Sequence, residues 1–247
     1  MYRSAIAAFV VALVAVPAHA EDRSHVGGRF ALQLDGAEGG FVHSASGTDG
    51  TKKTLVISTE QPTAPVLGAV RSFLDGRPAR KNIVLSTPAV VQKTGDARLV
   101  DVRLPSYAGG SNDLALTFEV GATSNSPSLR AVSDKAKPGG SKLASFRLTI
   151  GDLPTNEATR LDSIAVKNKE GAAVPGAFTF DVPSRDAGAF LAWTKKPAMR
   201  DGAIEYVSPT GEVVLGIKIG GCAASSAKID GPVTHVIVSC ARARSGT

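Results

Sequence analysis

Apolar and polar residues alternate along most of this chain, which is the period of half-buried strands rather than helices. Phe30-Ala31-Leu32-Gln33-Leu34 alternates before Asp35-Gly36, and Phe146-Arg147-Leu148-Thr149-Ile150 does so 116 residues later, before Gly151-Asp152. Further alternating runs predict strands near 41–45, 54–58, 82–86, 97–104 and 112–120, and again near 143–150, 160–167, 176–182, 203–207 and 212–219. Asp49-Gly50 marks a tight hairpin turn into the strand at 54–58. Two stretches have helical spacing instead. Val66, Leu67, Val70, Phe73 and Leu74 share one face between the opening prolines Pro62 and Pro65 and the terminating Gly76; the second helix covers about Arg185 to Lys195, with Ser184 as its N-cap.

The two halves carry these elements in one order. Val70 to Leu74, followed by Pro78, Arg80 and Ile83, matches Phe190 to Trp193, followed by Pro197, Arg200 and Ile204, at offsets of 119 to 121 residues. Each half reads β-β-β-α-β-β-β, so an internal repeat is expected, with a single short helix against a strongly bent sheet. The expected organisation is a first β domain over residues 21–121, a linker over 122–141 rich in Ser, Asn, Pro, Lys and Gly, and a second β domain over 142–247. The fold class is mainly β: two tandem barrels or sandwiches, each with one short flanking helix.

Residues 1–20 combine Arg3, an apolar run from Ala5 to Val16 and the small residues Ala18 and Ala20 around His19, which predicts a secretory signal peptide cleaved before Glu21. No other run is long and apolar enough for a membrane crossing. The expected protein is therefore exported, periplasmic or secreted, with no membrane insertion after cleavage. Arg3 is the only charge in the leader, so 27 basic and 22 acidic residues leave a net charge of +5. Basic groups follow both helices, Arg77, Arg80 and Lys81 in one half and Lys195, Lys196 and Arg200 in the other. Cations favour helix C-termini on electrostatic grounds alone, and no aromatic residues are interleaved for base stacking, so no nucleic-acid partner is expected.

Cys222 and Cys240 are the only cysteines, and in an exported protein an even count suggests a bridge. The segments 222–229 and 233–240 flank the turn cluster Asp230-Gly231-Pro232, of three-residue hairpin length. If Ile229 faces Val233, the same register sets Cys222 opposite Cys240, within disulfide reach.

Nothing in the sequence converges on catalysis. His25, His43 and His235 lack zinc-ligand spacing, there is no G-x-S-x-G elbow, and neither Gly27-Gly28 nor Gly109-Gly110 sits in a phosphate-loop context. Asp96, Asp101, Glu119 and Asp181 are scattered along strands, while Asp49, Asp113 and Asp230 lie in turns without the spacing of a calcium loop. Phe190 and Trp193 occupy the helix positions of core residues. The expectation is a non-enzyme with no catalytic residues, no metal and no cofactor.

The stretch Phe30 to Phe41, the helix Val70 to Leu74 with Arg80-Lys81-Asn82, Leu104-Pro105-Ser106, the helix Phe190 to Trp193 with Asp201 to Pro209, and Ile219-Gly220-Gly221-Cys222 with the terminal hairpin occur in an order that resembles the phage tail tube protein family. The likeness is to its two-domain bacterial type, here with a signal peptide. The resemblance implies barrel or sandwich domains whose sheets join side by side into rings of six domains, so that two domains per chain would form a trimer or a multiple of it. It implies a structural protein that acts by self-association or by binding another protein. The rival expectation is a monomeric periplasmic or surface module that binds a small ligand or glycan between its domains. A cleavable leader, the disulfide and a shortened loop between the early strands depart from the family.

Overall fold

The computed structural model describes residues 30–47, 53–87, 90–108, 112–127 and 139–246. The expected leader, His25, the Asp49-Gly50 turn and residues 128–138 of the expected linker lie outside the described residues. The first half contains β1 (Phe30–Leu34), β2 (Ala37–Val42), β3 (Ser44–Ser46), β4 (Thr54–Thr59), α1 (Ala64–Leu74), β5 (Arg80–Ser86), β6 (Val90–Arg103), β7 (Leu114–Glu119) and β8 (Thr123–Pro127). The second contains β9 (Ser145–Ile150), β10 (Arg160–Leu161), β11 (Ala165–Lys169), β12 (Ala172–Pro175), β13 (Phe178–Pro183), α2 (Ala187–Lys195), β14 (Arg200–Val207), β15 (Val213–Asp230) and β16 (Val233–Ser245).

The fold is mainly β, as the alternation predicts, and its ladders are antiparallel members of one sixteen-stranded sheet. Strands pair in the order β1-β5-β6-β7-β4 in the first half and β9-β14-β15-β16-β13 in the second. In the first half the chain kinks at His43, whose N–H donates to Ser58 O over 3.1 Å, so that β2 pairs with β1 while β3 pairs with β4. The ladder thereby returns to its start and closes a barrel. In the second half only the two residues of β10 line β13 at the corresponding place.

Alternate residues fill the interior: Phe30, Leu32 and Leu34 from β1, Leu55 and Ile57 from β4, and Leu114, Leu116 and Phe118 from β7 are all buried. A bulge in β6 between Leu99 and Asp101 resets the alternation, so that Leu99 and Val102 both point inward despite their odd spacing. Helix α1 buries Val66, Leu67, Ala69, Val70, Phe73 and Leu74, the face its spacing predicts. Gly76 follows at φ +72, and a Cβ there would lie 1.9 Å from Gly171 O, so both conformation and packing demand glycine. Phe190 and Trp193 are core residues of α2, and Trp193 Nε1 donates to Ala198 O over 2.7 Å.

Three local expectations change. Ser184 makes no side-chain cap; it opens a 3-10 turn through Asp186, its N–H donates to Pro232 O, and α2 proper starts at Ala187. The strand expected at 160–167 divides into β10 and β11, because Ser163 Oγ turns aside to donate to Leu104 O. After β11 the chain reverses at Glu170-Gly171, both with positive φ, into β12, a strand the sequence did not suggest.

That added hairpin joins the halves. Val166 of β11 faces Val102 of β6, and Ala173 of β12 faces Ala243 of β16. Arg71 Nη2 donates to Val214 O over 3.0 Å, Asp75 Oδ1 accepts from Ser245 N and Oγ, and the Tyr107 ring stacks between Phe146 and Tyr206. The expected linker is held at both described ends. Thr123–Pro127 forms the exposed edge strand β8 on β6, while Ser141 and Ala144 donate to Pro62 O and Val207 O. No helix among the described residues is long and apolar enough to cross a membrane.

Candidate functional site

The ladder between β14 and β15 ends where Arg200 faces Cys222. Beyond it, among the described residues, Ala223 to Asp230 of β15 have a strand partner on one side only, β16. Cys222 and Cys240 are bonded to each other with Cα atoms 3.9 Å apart, so the staple sits at the root of this arm, where flanking support on the β14 side stops.

The cysteines face each other through a register different from the expected one. The hairpin closes one residue tighter, with Asp230 opposite Val233 across Gly231-Pro232 and Ile229 opposite Thr234. A bulge between Ala224 and Ser226 then restores the offset, so that Ala224 faces Val238 and Cys222 faces Cys240. The two departures cancel.

Helix α2 packs against β15, and Ala224 is buried, whereas Ser225, Lys228, Ile229 and Asp230 are exposed. Ile229 is 49% exposed at this strand edge. In a two-residue hairpin the closing pair exchanges hydrogen bonds and the pairs then alternate, so Asp230, Lys228 and Ser226 bond inward to β16. The backbone groups of Ile229 and Ala227 consequently face away from β16. The bulge and Lys228 are devices that discourage indiscriminate pairing at such an edge.

On the outer face of the arm, β13 brings the buried carboxylate of Asp181 to His235, with Oδ1 2.6 Å from Nδ1. Arg160 lies 3.9 Å from the other oxygen and donates to Asp162, while His235 Nε2 lies 3.8 Å from Asp230. Both ring nitrogens face carboxylates, whereas a general base for catalysis would direct one nitrogen at its nucleophile. The remaining scattered carboxylates do not meet. Asp96 pairs with Arg80, Glu119 with Arg98, and Asp101 lies opposite Lys167, where burial raises its pKa against the pull of Lys167 and Arg103.

The basic groups after the helices are largely neutralised. Arg80 meets Asp96, Lys81 bonds Asp35 over 2.7 Å, and Arg200 pairs with Asp152 beneath the Trp193 ring. Arg77 lies 3.8 Å from Asp75 and Arg242 3.6 Å from Asp201, and with Asp75 and Arg244 the two arginines line a groove of about 370 Å³ between α1 and the end of β16. His43 and Asp113, far apart in sequence, are in contact at the seam of the first barrel. No spacing signal reveals the His235 and His43 clusters, since each depends on which strands become neighbours.

Comparison with family models and with curated proteins finds no match. The reading of function therefore rests on the site itself.

Proposed function

We propose that this protein is an exported, non-enzymatic structural module that acts by assembly, pairing the free edge of β15 with a strand of another chain. The observation that carries this reading is the disulfide-rooted arm, whose segment Ala223 to Asp230 lacks a second strand partner among the described residues and exposes Ile229. An unpaired edge recruits a strand through main-chain hydrogen bonds, and flanking side chains choose which strand. The common pairing order of the two halves supports the tail-tube-like reading, in which two such units per chain build a ring as a trimer or its multiple. The staple serves this role physically, because it holds the donor and acceptor groups of the arm in place before a partner arrives.

Size-exclusion chromatography with light scattering on residues 21–247, at several concentrations, tests the reading. Ile229→Pro removes an outward N–H without removing a bond to β16, and should shift any trimer or larger species to monomer while leaving the melting temperature nearly unchanged. A monomer at every concentration, with no partner lost on this substitution, refutes assembly through the arm. The groove lined by Asp75, Arg77, Arg242 and Arg244 favours a second reading, a module for a small ligand or glycan. The ladders and side-chain bonds between the halves oppose a version in which they close about a flexible linker.

A further inference from the structure

The seam that closes the first barrel brings His43, Glu60 and Asp113 together. His43 lies at the kink between β2 and β3, Glu60 directly follows β4, and Asp113 directly precedes β7. Their imidazole and carboxylate ligand atoms all lie within 4.8 Å of one another. The β4–β7 register ends where Thr59 pairs with Leu114, and Glu60 and Asp113 are the next residue on each side. Two carboxylates held this close repel each other. Among the described residues the only ion pair at this cluster is His43 Nε2 to Asp113 Oδ2, 2.7 Å, and neither carboxylate meets a lysine or arginine. Asp113 Oδ1 is withdrawn from solvent without a hydrogen-bond donor, a condition that costs free energy unless a positive charge compensates it.

We infer that His43, Glu60 and Asp113 form a binding site for a divalent transition-metal ion, with zinc the best match. The donor set argues for this class. Imidazole nitrogen with carboxylate oxygen suits zinc and its neighbours, whereas calcium and magnesium prefer all-oxygen shells. Three protein donors at an exposed surface leave a further position for water or for a donor from another chain. The ion would tie the β2–β3 kink to the ends of β4 and β7, so its binding energy would add to the stability of the closed barrel. The site lies in the half of the chain opposite the stapled arm and is independent of the assembly reading.

The test uses the full mature chain, residues 21–247, stripped with chelator and titrated with ZnCl2 by calorimetry, alongside thermal unfolding with zinc, calcium or magnesium. The expected result is one zinc per chain, a melting temperature that rises with zinc and not with calcium or magnesium, and the intense visible absorption of low-coordinate cobalt(II) when cobalt replaces zinc. Glu60→Gln keeps the His43–Asp113 pair and should fold normally, yet weaken zinc binding by more than the roughly tenfold that loss of a mere outer-shell partner costs. His43→Ala should abolish the cobalt spectrum, whereas His235→Gln should leave binding intact. Absence of zinc binding, or binding unchanged by both Glu60→Gln and His43→Ala, would overturn the inference and leave the cluster as a histidine–carboxylate ion pair only.

Discussion

Replacing both cysteines, Cys222→Ala with Cys240→Ala, probes the root of the arm. The bridge spans 18 residues, and the chain-entropy relation for a loop of that length gives about 3 kcal/mol of stabilisation. Both side chains are buried, at 0% and 5% exposure, so losing the sulfurs adds a packing cost of about 1 kcal/mol. For a chain of this size each kcal/mol moves the melting temperature by roughly 2–4 °C, so a fall of roughly 8–16 °C is expected. Circular dichroism melts of the two proteins, in the absence of reductant, measure it. Hydrogen exchange locates the effect: amides of Ala223 to Asp230 should lose protection first, since β14 offers β15 no support beyond Cys222, whereas β13 still flanks Val233 to Val238 of β16. A melting temperature within about 2 °C of wild type, with unchanged exchange in the arm, would refute the claim that the bridge holds an otherwise weakly supported element.

Gly76→Ala should destabilise by about 2 kcal/mol or more, read from the urea midpoint, because the residue has φ +72 and its Cβ would press on Gly171 O. Asp35 accepts from Lys81 and from Asn82 N–H, and these bonds hold its carboxyl below the ordinary range. A depressed folded-state pKa gives stability that is present above about pH 4 and lost as pH falls through the folded value, so Asp35→Asn should flatten the acid limb of stability measured by urea melts from pH 7 to 2. Asp101 has the opposite sign: burial raises its carboxyl, so the folded state bears a cost when it is ionised at neutral pH. Asp101→Asn should then compare most favourably with wild type near pH 7, and that advantage should shrink as wild type protonates on acidification.

The class of structure was legible in the local pattern of the chain. Period-2 alternation buries one face of a strand wherever that strand lies, which is why most strands and both helices fall close to their expected places. It also marked the buried face of α1, the glycine that ends it and the cysteine pair, all of which depend on neighbours close along the chain. Tertiary structure decided what depends on distant neighbours. The β11–β12 hairpin joins the halves through Val166 and Val102, residues 64 positions apart that share no local signal. The bulge at Ser225 sets the true register of the arm, because hairpin closure at Asp230 and pairing at Cys222 cannot both hold without an extra residue. His43, Glu60 and Asp113 meet only because the barrel closes at the kink between β2 and β3, and the buried Asp181 finds its partners only once β10, β13 and β16 lie side by side. Local chemistry fixes the elements, while the charges and edges available for function are left by the way those elements exhaust one another's hydrogen bonds.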